Sequence, residues 1–573
     1  MQTLSEHLTE LIRQAAVAAG YGDNDVPLEP CVPTDPRNGD YQSNYAFRLG
    51  KAARSNPRAV AAAMVEALPA DPLVASAEVA GPGFINLRLR DEALAAHLLA
   101  RLDGEGFTLS QPGAGKTMVI DFSSPNIAKR MHVGHLRSTI IGDALRRIYA
   151  SLGWRVIADN HIGDWGTQFG KLMVAWRRWL DQDAFDADAV GELQRLYQLF
   201  GAKAEEDPSL EDLARAETAK LQSGDPENTA LWRRFVDASL EEFDAVYDRL
   251  GVVFDVTLGE SHYQSRLSPL VEGVLAQGLA EEDQGAVIIR FGPEDGKALA
   301  DTLLLIRKSD GAALYGTTDL ATVAYRMETW QPDLIAYVTD VRQRLHFSQV
   351  FAAARKMGMA FTPEHVYFGM LRLAGGAIAA TRSGAVLNLV DVLDTAVERA
   401  RGVVDGKSGH LSDQERAGIA EAVGVGAIKY ADLSQNPQSD IVFDWDKMLS
   451  MEGNTAPYLM YAYARCMSIF RKADRDGFVP GGIALEHPSE RSLAVLLART
   501  PEVVERAAEL WRPNVVADHL FAVANTFASF YHDCRVIGES PEVEQSRLSL
   551  VRATAAVLEQ GMKLLGIQPL DRM

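Results

Sequence analysis

The stretch "TMVIDFSSPNIAKRMHVGHLRSTIIGD", residues 117–143, limits the fold of this chain more than any other. It opens as a short apolar, β-branched run, which reads as a strand. Pro125 and Asn126 end that run. Beyond them Leu136, Ile140, Ala144, Leu145 and Ile148 share one face of a helix. Gly153 closes the helix and "WRVIADN" reads as the next strand. Strand, helix, strand is the βαβ unit of a parallel nucleotide-binding sheet. His132-Val133-Gly134-His135 then falls on the loop at the carboxyl edge of the sheet, where α/β proteins bind ligands.

Two imidazoles at a helix start can simply cap or pack. A zinc site is a second possibility, but no third ligand stands at a standard spacing. A phosphate site suits the residues better. Gly134 lets a flat base or a phosphate approach the backbone, and the helix start offers free N–H groups and its positive end. The imidazoles can donate hydrogen bonds to phosphate oxygens as charge develops there.

Around this passage the chain divides into three regions. Residues 1–110 mix helical patterns with a strand-like "AEVAGPGFINLRLR", and "LSQPGAGKT" follows as a linker. Gly115-Lys116-Thr117 imitates the end of a P-loop, but the loop's first glycine would fall at Ser110 and the stretch precedes a strand. Residues 111–390 form the α/β region, with a helical, acidic insertion at about 176–285 before strands return at "AVIIRF" and "TLLLIRKSDGAALY". Residues 391–573 show almost no strand signal and read as a separate α-helical domain. The expected class is α/β: a Rossmann-like parallel-sheet domain with a helical insertion, an α+β N-terminal domain and an all-α C-terminal domain.

Composition sets the limits. A chain of 573 residues exceeds one ordinary core. Its three cysteines, Cys31, Cys466 and Cys534, form no CxxC pair, so a reducing cytoplasm is expected and no metal cage. No apolar run approaches the roughly 18 residues of a membrane span, and the N-terminal "MQTLSEHLTELIRQAAVAAG" is an amphipathic helix, not a signal peptide. The net charge of −20 weighs against a nucleic-acid partner and suits a cationic small substrate, yet local basic clusters such as Arg146-Arg147 and Arg471-Lys472 keep the first open.

HxGH after the first strand of such a sheet resembles the signature of class I aminoacyl-tRNA synthetases and their nucleotidylyltransferase relatives. The long form, with SSPN before it and LRSTIIGD after it, resembles the arginyl-tRNA synthetases. "HIGDWGTQFGKL", "YGTTDLATVAYR", "DVRQRLHFSQVF", "VYFGML", "GAIKYADLSQN" and "FDWDKMLSMEGNTAPYLMYAYAR" follow in that family's order, and the chain ends in a similar Arg-Met.

The resemblance implies an arginine–tRNA ligase, in which ATP activates L-arginine to arginyl-adenylate and the arginyl group passes to the 3′ end of tRNA(Arg). ATP travels with Mg²⁺ as substrate, and no tightly bound cofactor is expected. His132 and His135 then contact ATP phosphates and stabilise the transition state, Gly134 leaves room for adenine, and Phe368 and Met370 border the same base. Asp121, Asn126, Tyr315, Asp319 and Gln343 match the arginine-binding positions. The usual KMSKS-type loop is incomplete: "AGGAIAATRSGAVLNLVDVLD" has Ile378 and Ala380 where lysine and serine are usual, and it keeps Thr381, Arg382, Ser383 and Gly384. Lys129, just ahead of HxGH, or Arg382 is the expected substitute cation.

By the same resemblance the N-terminal region is an extra tRNA-binding domain, with Tyr41, Gln42, Asn44, Phe84 and Asn86 available to bases. The C-terminal helical region is the anticodon-binding domain, offering Tyr458, Tyr461, Tyr463 and Arg465. A monomer without membrane attachment is the family expectation. The alternatives are another HxGH nucleotidylyltransferase or class I synthetase, and an inactive tRNA-binding paralogue.

Overall fold

The computed structural model describes all residues except 23–24, 104–105, 374–386, 408–410 and 476. The chain folds as two compact units, residues 113–449 and residues 1–112 together with 450–573.

In the first unit a five-stranded, all-parallel sheet is built from β1 (Thr117–Asp121), β2 (Arg155–Asn160), β3 (Val256–Thr257), β4 (Leu334–Asp340) and β5 (Thr362–Phe368). Its order is β5-β4-β1-β2-β3. The chain winds outward from β1 in one direction and, after the insertion, in the other, so the topological switch point lies between β1 and β4. A crevice opens beyond the strand ends at such a point. Helix α1 (Val133–Ser151) links β1 to β2, α2 (Tyr315–Trp330) precedes β4, and α3 (Arg344–Lys356) joins β4 to β5. Val119, Ile157, Leu320, Ile335 and Val350 are buried together between the sheet and these helices. This apolar packing is what holds the strand ends in place.

The strands expected at "AVIIRF" and "TLLLIRK" do form, at Ala286–Arg290 and Leu303–Arg307, but they do not enter the parallel sheet. They pair antiparallel with each other, and the first also pairs with Glu281–Asp283. The link between the two longer strands holds no crossover helix, and without one a parallel pairing cannot be closed.

Residues 391–449, expected to open the helical domain, belong to the first unit. Helices α4 (Leu389–Lys407) and α5 (Asp413–Leu433) pack on each other and on α1. Arg137 of α1 and Asp432 of α5, each 1% exposed, form a bidentate pair with both contacts at 2.9 Å. The helical pattern of this region does not say which partner α5 packs against.

The second unit combines the two ends of the chain. A four-stranded antiparallel sheet in the order Val32–Pro33, Tyr41–Ser43, Phe84–Leu89, Val74–Ala80 carries helices Leu4–Ala16, Tyr45–Ala52 and Pro57–Glu66. Gly81 and Gly83, both at positive φ, make the turn of its longest hairpin. Helices between Ala456 and Leu564 complete the unit. Arg491 ties the pieces together through Asp40 at 2.8 Å and Asp91 at 2.7 Å. Among the described residues no helix is long and apolar enough to cross a membrane.

Candidate active site

A cavity of about 720 Å³ opens at the switch point. Of the residues singled out in the sequence, it gathers Asp121, Asn126, Gly134, His135, Tyr315, Asp319, Gln343 and Phe368. They come from the ends of β1 and β5, from the loop between β1 and α1, from the starts of α1 and α2, and from the turn before α3.

The loop from β1 to α1 is held in an unusual shape. Ser123, Ser124 and Ala128 all adopt left-handed backbone, at φ 73°, 49° and 60°, a conformation non-glycine residues take only when their surroundings impose it. The Ser124 amide donates to Asn160 and the Ala128 amide to the Ser239 hydroxyl at 3.0 Å. The Asn126 and Gly163 backbones form a bridge that closes the same loop.

The two histidines fix each other's protonation. The Gly134 amide donates to His132 Nδ1 at 3.0 Å, and the His132 amide donates to His135 Nδ1 at 3.0 Å. A ring nitrogen that accepts from an amide carries no proton, so each neutral ring bears its hydrogen on Nε2 and keeps that donor for another acceptor. Burial lowers both pKa values, His135 to about 3, and the Lys129 charge adds to the effect on each. The pair therefore stays neutral around pH 7. A Cβ at position 134 would lie 2.8 Å from the His132 ring, so glycine is required for the rings to keep this arrangement.

Lys129 is exposed, with its ammonium 5.4 Å from the centre of the Tyr197 ring. Its neighbour Arg130 pairs with Asp188 of the helical insertion. Arg382, Ile378 and the rest of the KMSKS-like stretch lie outside the described residues. The residues flanking that stretch are described. Leu371–Leu373 pairs with Ile441–Phe443, while the Val133 amide donates to the Leu387 carbonyl and the Leu389 amide to that of Met131. Phe368 lines the cavity beneath the Arg137 guanidinium, 5.6 Å from its ring centre. Met370 does not line it: its amide donates to Asp440 at 2.8 Å and its carbonyl accepts from the Ile441 amide.

The cavity wall is acidic. Asp319 accepts from His346 Nε2 at 2.5 Å, Asp340 pairs with Arg342, and Tyr315 is 74% exposed at the mouth. Glu260, which the sequence reading did not single out, also lines the cavity. Burial, with the charges of Asp164 and Asp319 adding to it, pushes its carboxyl up to about 7. "GESHY" gave no periodic or motif signal that would have marked it. Asp121 is not free in the way its assignment to substrate suggested. Its Oδ2 accepts from the fully buried Arg326 at 2.5 Å, and its Oδ1 accepts from the Ser124 hydroxyl at 2.9 Å.

The expected tRNA contacts divide by exposure. Tyr41 requires a correction: its side chain is wholly buried, its hydroxyl donates to Glu502 at 2.8 Å, and Arg499 covers its ring, so it cannot stack on a base. Asn86 is also buried and accepts from Gln42 at 2.8 Å. Asn44 is exposed, while Gln42 and Phe84 are half-buried. In the helical part Tyr458 donates to Asn525 and Tyr463 is buried. Tyr461 and Tyr531 stay exposed, with the Arg465 guanidinium 4.7 and 5.7 Å from their ring centres.

A parallel sheet with an HxGH loop at its switch point, followed by helices, is the architecture of a class I aminoacyl-tRNA synthetase. Comparison with known proteins agrees. The catalytic-domain model for class I tRNA synthetases (R) matches residues 101–445, the DALR anticodon binding domain matches 459–573, and the arginyl tRNA synthetase N terminal domain matches 3–89. An arginine–tRNA ligase of Fusobacterium nucleatum is 44% identical over the full length of both chains. The arginyl-tRNA synthetase structures of Plasmodium falciparum and Thermus thermophilus superpose with TM-scores of 0.86 and 0.83, each at 26% identity over all of both chains. The chain belongs to the arginyl-tRNA synthetase family. It is an arginine–tRNA ligase, which uses ATP to activate L-arginine and charges tRNA(Arg) with it.

Proposed function

We propose that the switch-point cavity is where arginine is activated, with its guanidinium against Asp319 and Glu260 and its carboxylate toward the HxGH loop. The acidic wall supports this reading best. A guanidinium is a planar fork of five donors and needs acceptors of opposite charge. Asp319 and Glu260 supply them inside a partly desolvated cavity, with Tyr315 and Gln343 at its edge.

Arginine's carboxylate attacks the α-phosphate of ATP, and negative charge grows on the phosphate oxygens. His132 and His135 present preset Nε2–H donors to that charge, the kind of contribution that dominates phosphoryl-transfer catalysis. ATP enters with Mg²⁺ beside Gly134 and Phe368, and Asn126 holds the amino acid. Lys129, whose charge already reaches both imidazoles, supplies the cation that Ile378 does not, and Arg382 is the alternative. Residues 1–110 and 450–573 act on tRNA(Arg), the first at its outer corner and the second at the anticodon. The enzyme works as a cytoplasmic monomer, and its three buried, free cysteines suit that reducing setting.

The test is ATP–pyrophosphate exchange in the presence of tRNA, run across the amino acids. Arginine alone should support exchange. Asp319→Ala should raise the arginine requirement steeply, by about 10² or more, because a desolvated guanidinium loses its acceptor, while the requirement for ATP holds. An unchanged arginine requirement would remove Asp319 from the pocket.

A further inference from the structure

Behind the cavity wall the protein buries a guanidinium of its own. Arg326 is 0% exposed. Its Nη2 lies 2.5 Å from Asp121 Oδ2 and 2.8 Å from Asp159 Oδ2, and its Nε donates to Asp159 at 3.1 Å. The Tyr337 ring faces the guanidinium at 5.0 Å. Asp121 and Asp159 are register partners at the ends of β1 and β2. Arg326 stands on α2, two turns beyond Asp319, so one helix presents a guanidinium acceptor to the cavity and a guanidinium to the carboxylates behind it.

Two buried carboxylates side by side repel each other, and a cation between them relieves that cost. Asp159 shows this strain: burial pushes its pKa up, Asp121 adds to the rise, and Arg326 opposes it. Of the two carboxylates only Asp121 lines the cavity. Asp159 Oδ1 and Arg326 Nη1 have no hydrogen-bond partner among the described residues, so the inner part of the trio is not tied further to the protein.

We propose that Arg326, backed by Asp159, is a positioning residue that holds the Asp121 carboxylate turned so that it accepts the α-ammonium of arginine. This rests on the reading of the cavity given above. With the guanidinium at Asp319 and Glu260 and the carboxylate at the HxGH loop, the ammonium shares a carbon with that carboxylate, and Asp121 ends the strand that leads into that loop. A planar fork is needed here because one group must hold two carboxylates at once, which a lysine cannot do with the same geometry.

The experiment measures equilibrium binding of L-arginine and of 5-guanidinopentanoate, the same molecule without its amino group, to the full-length enzyme with tRNA. Arg326→Lys keeps the charge and loses the fork. It should weaken L-arginine about 10- to 100-fold, the usual cost of misplacing a positioned group. Binding of 5-guanidinopentanoate should stay within about twofold, and so should the KM for ATP. Asp159→Asn, nearly isosteric, should move the two ligands in the same unequal way and keeps the proposal testable if Arg326→Lys does not fold. Equal weakening of both ligands, or no weakening of either, would overturn the assignment. Asp319→Ala separates this from failure of the cavity reading: it should weaken both ligands alike, and if it weakens neither, the pocket itself has been misplaced.

Discussion

Glu260 makes the pH dependence of this site a property of one residue. Its carboxyl is held at about 7 by burial and by the charges of Asp164 and Asp319, well above the 4.5 of a free side chain. Pairing with a guanidinium needs the ionised form. Binding of arginine therefore releases a proton wherever Glu260 is still protonated, and arginine affinity should rise with pH up to about 7 and then level off. Below that value each unit should cost up to about tenfold in affinity. Titration calorimetry in buffers of different ionisation enthalpy counts the released proton directly. Glu260→Gln should abolish both the release and the slope, and a slope that survives would move the titration to another group. The histidines should add no limb of their own near neutrality, since His135 is held near 3 and the pKa of His132 is lowered as well. Little of this was legible in the sequence. The HxGH pair and the YGTTD carboxylate stand in stretches whose order marks them, whereas Glu260 acquires its character from burial and from Asp164 and Asp319, which lie far from it on either side in the chain.

The helix α1 does more than carry the HxGH signature. Arg137 donates to Asp432 through two nitrogens and to the carbonyls of Gly369 at 2.7 Å, Pro437 at 3.2 Å and Ser439 at 3.0 Å. One buried guanidinium thus joins α1, α5 and the segment that follows β5. A Cβ on Gly369 would lie 2.7 Å from the Ser439 carbonyl, which shows how closely these backbones meet. Removing one partner of such a pair leaves an uncompensated buried charge, so Asp432→Ala should cost about 3–5 kcal/mol of stability, read from denaturant unfolding. A loss below about 1 kcal/mol would mean that the carbonyls alone satisfy Arg137. The elements themselves were legible: β1, α1 and β2 stand where apolar spacing and the glycine and proline punctuation put them. Their partners were not. Amphipathic spacing gives a helix an inner face without saying what covers it, so α4 and α5 read as the start of a separate domain. A lysine and an aspartate three residues apart in "GAIKYADL", Lys429 and Asp432, are both buried. Their place on the buried face of α5 was the available sign of polar partners elsewhere in the chain.

At the scale of the whole molecule, a chain with a net charge of −20 has to bind a polyanion. Long-range attraction does not help it, so tRNA affinity depends on local cations and on stacking surfaces. Residue type alone overestimated these surfaces. Tyr41 alternates into the core of its strand and Tyr463 into the core of its helix, and only structure shows which rings stay outside. Tyr461 and Tyr531 do, with Arg465 lying against both and donating to the Tyr461 hydroxyl at 2.8 Å. Helix Ala456–Lys472 supplies the first ring and the arginine, and helix Asn514–Asp533 supplies the second ring. An aromatic pair held by an arginine offers both a face for a base and a charge for a phosphate. Tyr461→Ala should therefore weaken tRNA(Arg) by about 1–3 kcal/mol, the value of one stacked base. Arg465→Ala should weaken it too and reduce the slope of log affinity against log salt by about one, as expected for a lost phosphate contact. Neither change should alter the KM for arginine or ATP when tRNA is saturating, because both residues lie outside the unit that holds the activation cavity. Filter binding at several salt concentrations, set beside pyrophosphate exchange, separates the two effects. If Tyr461→Ala binds tRNA as the parent does, these rings are only a polar surface of the helical bundle, and the anticodon contact has to be sought on another face of it.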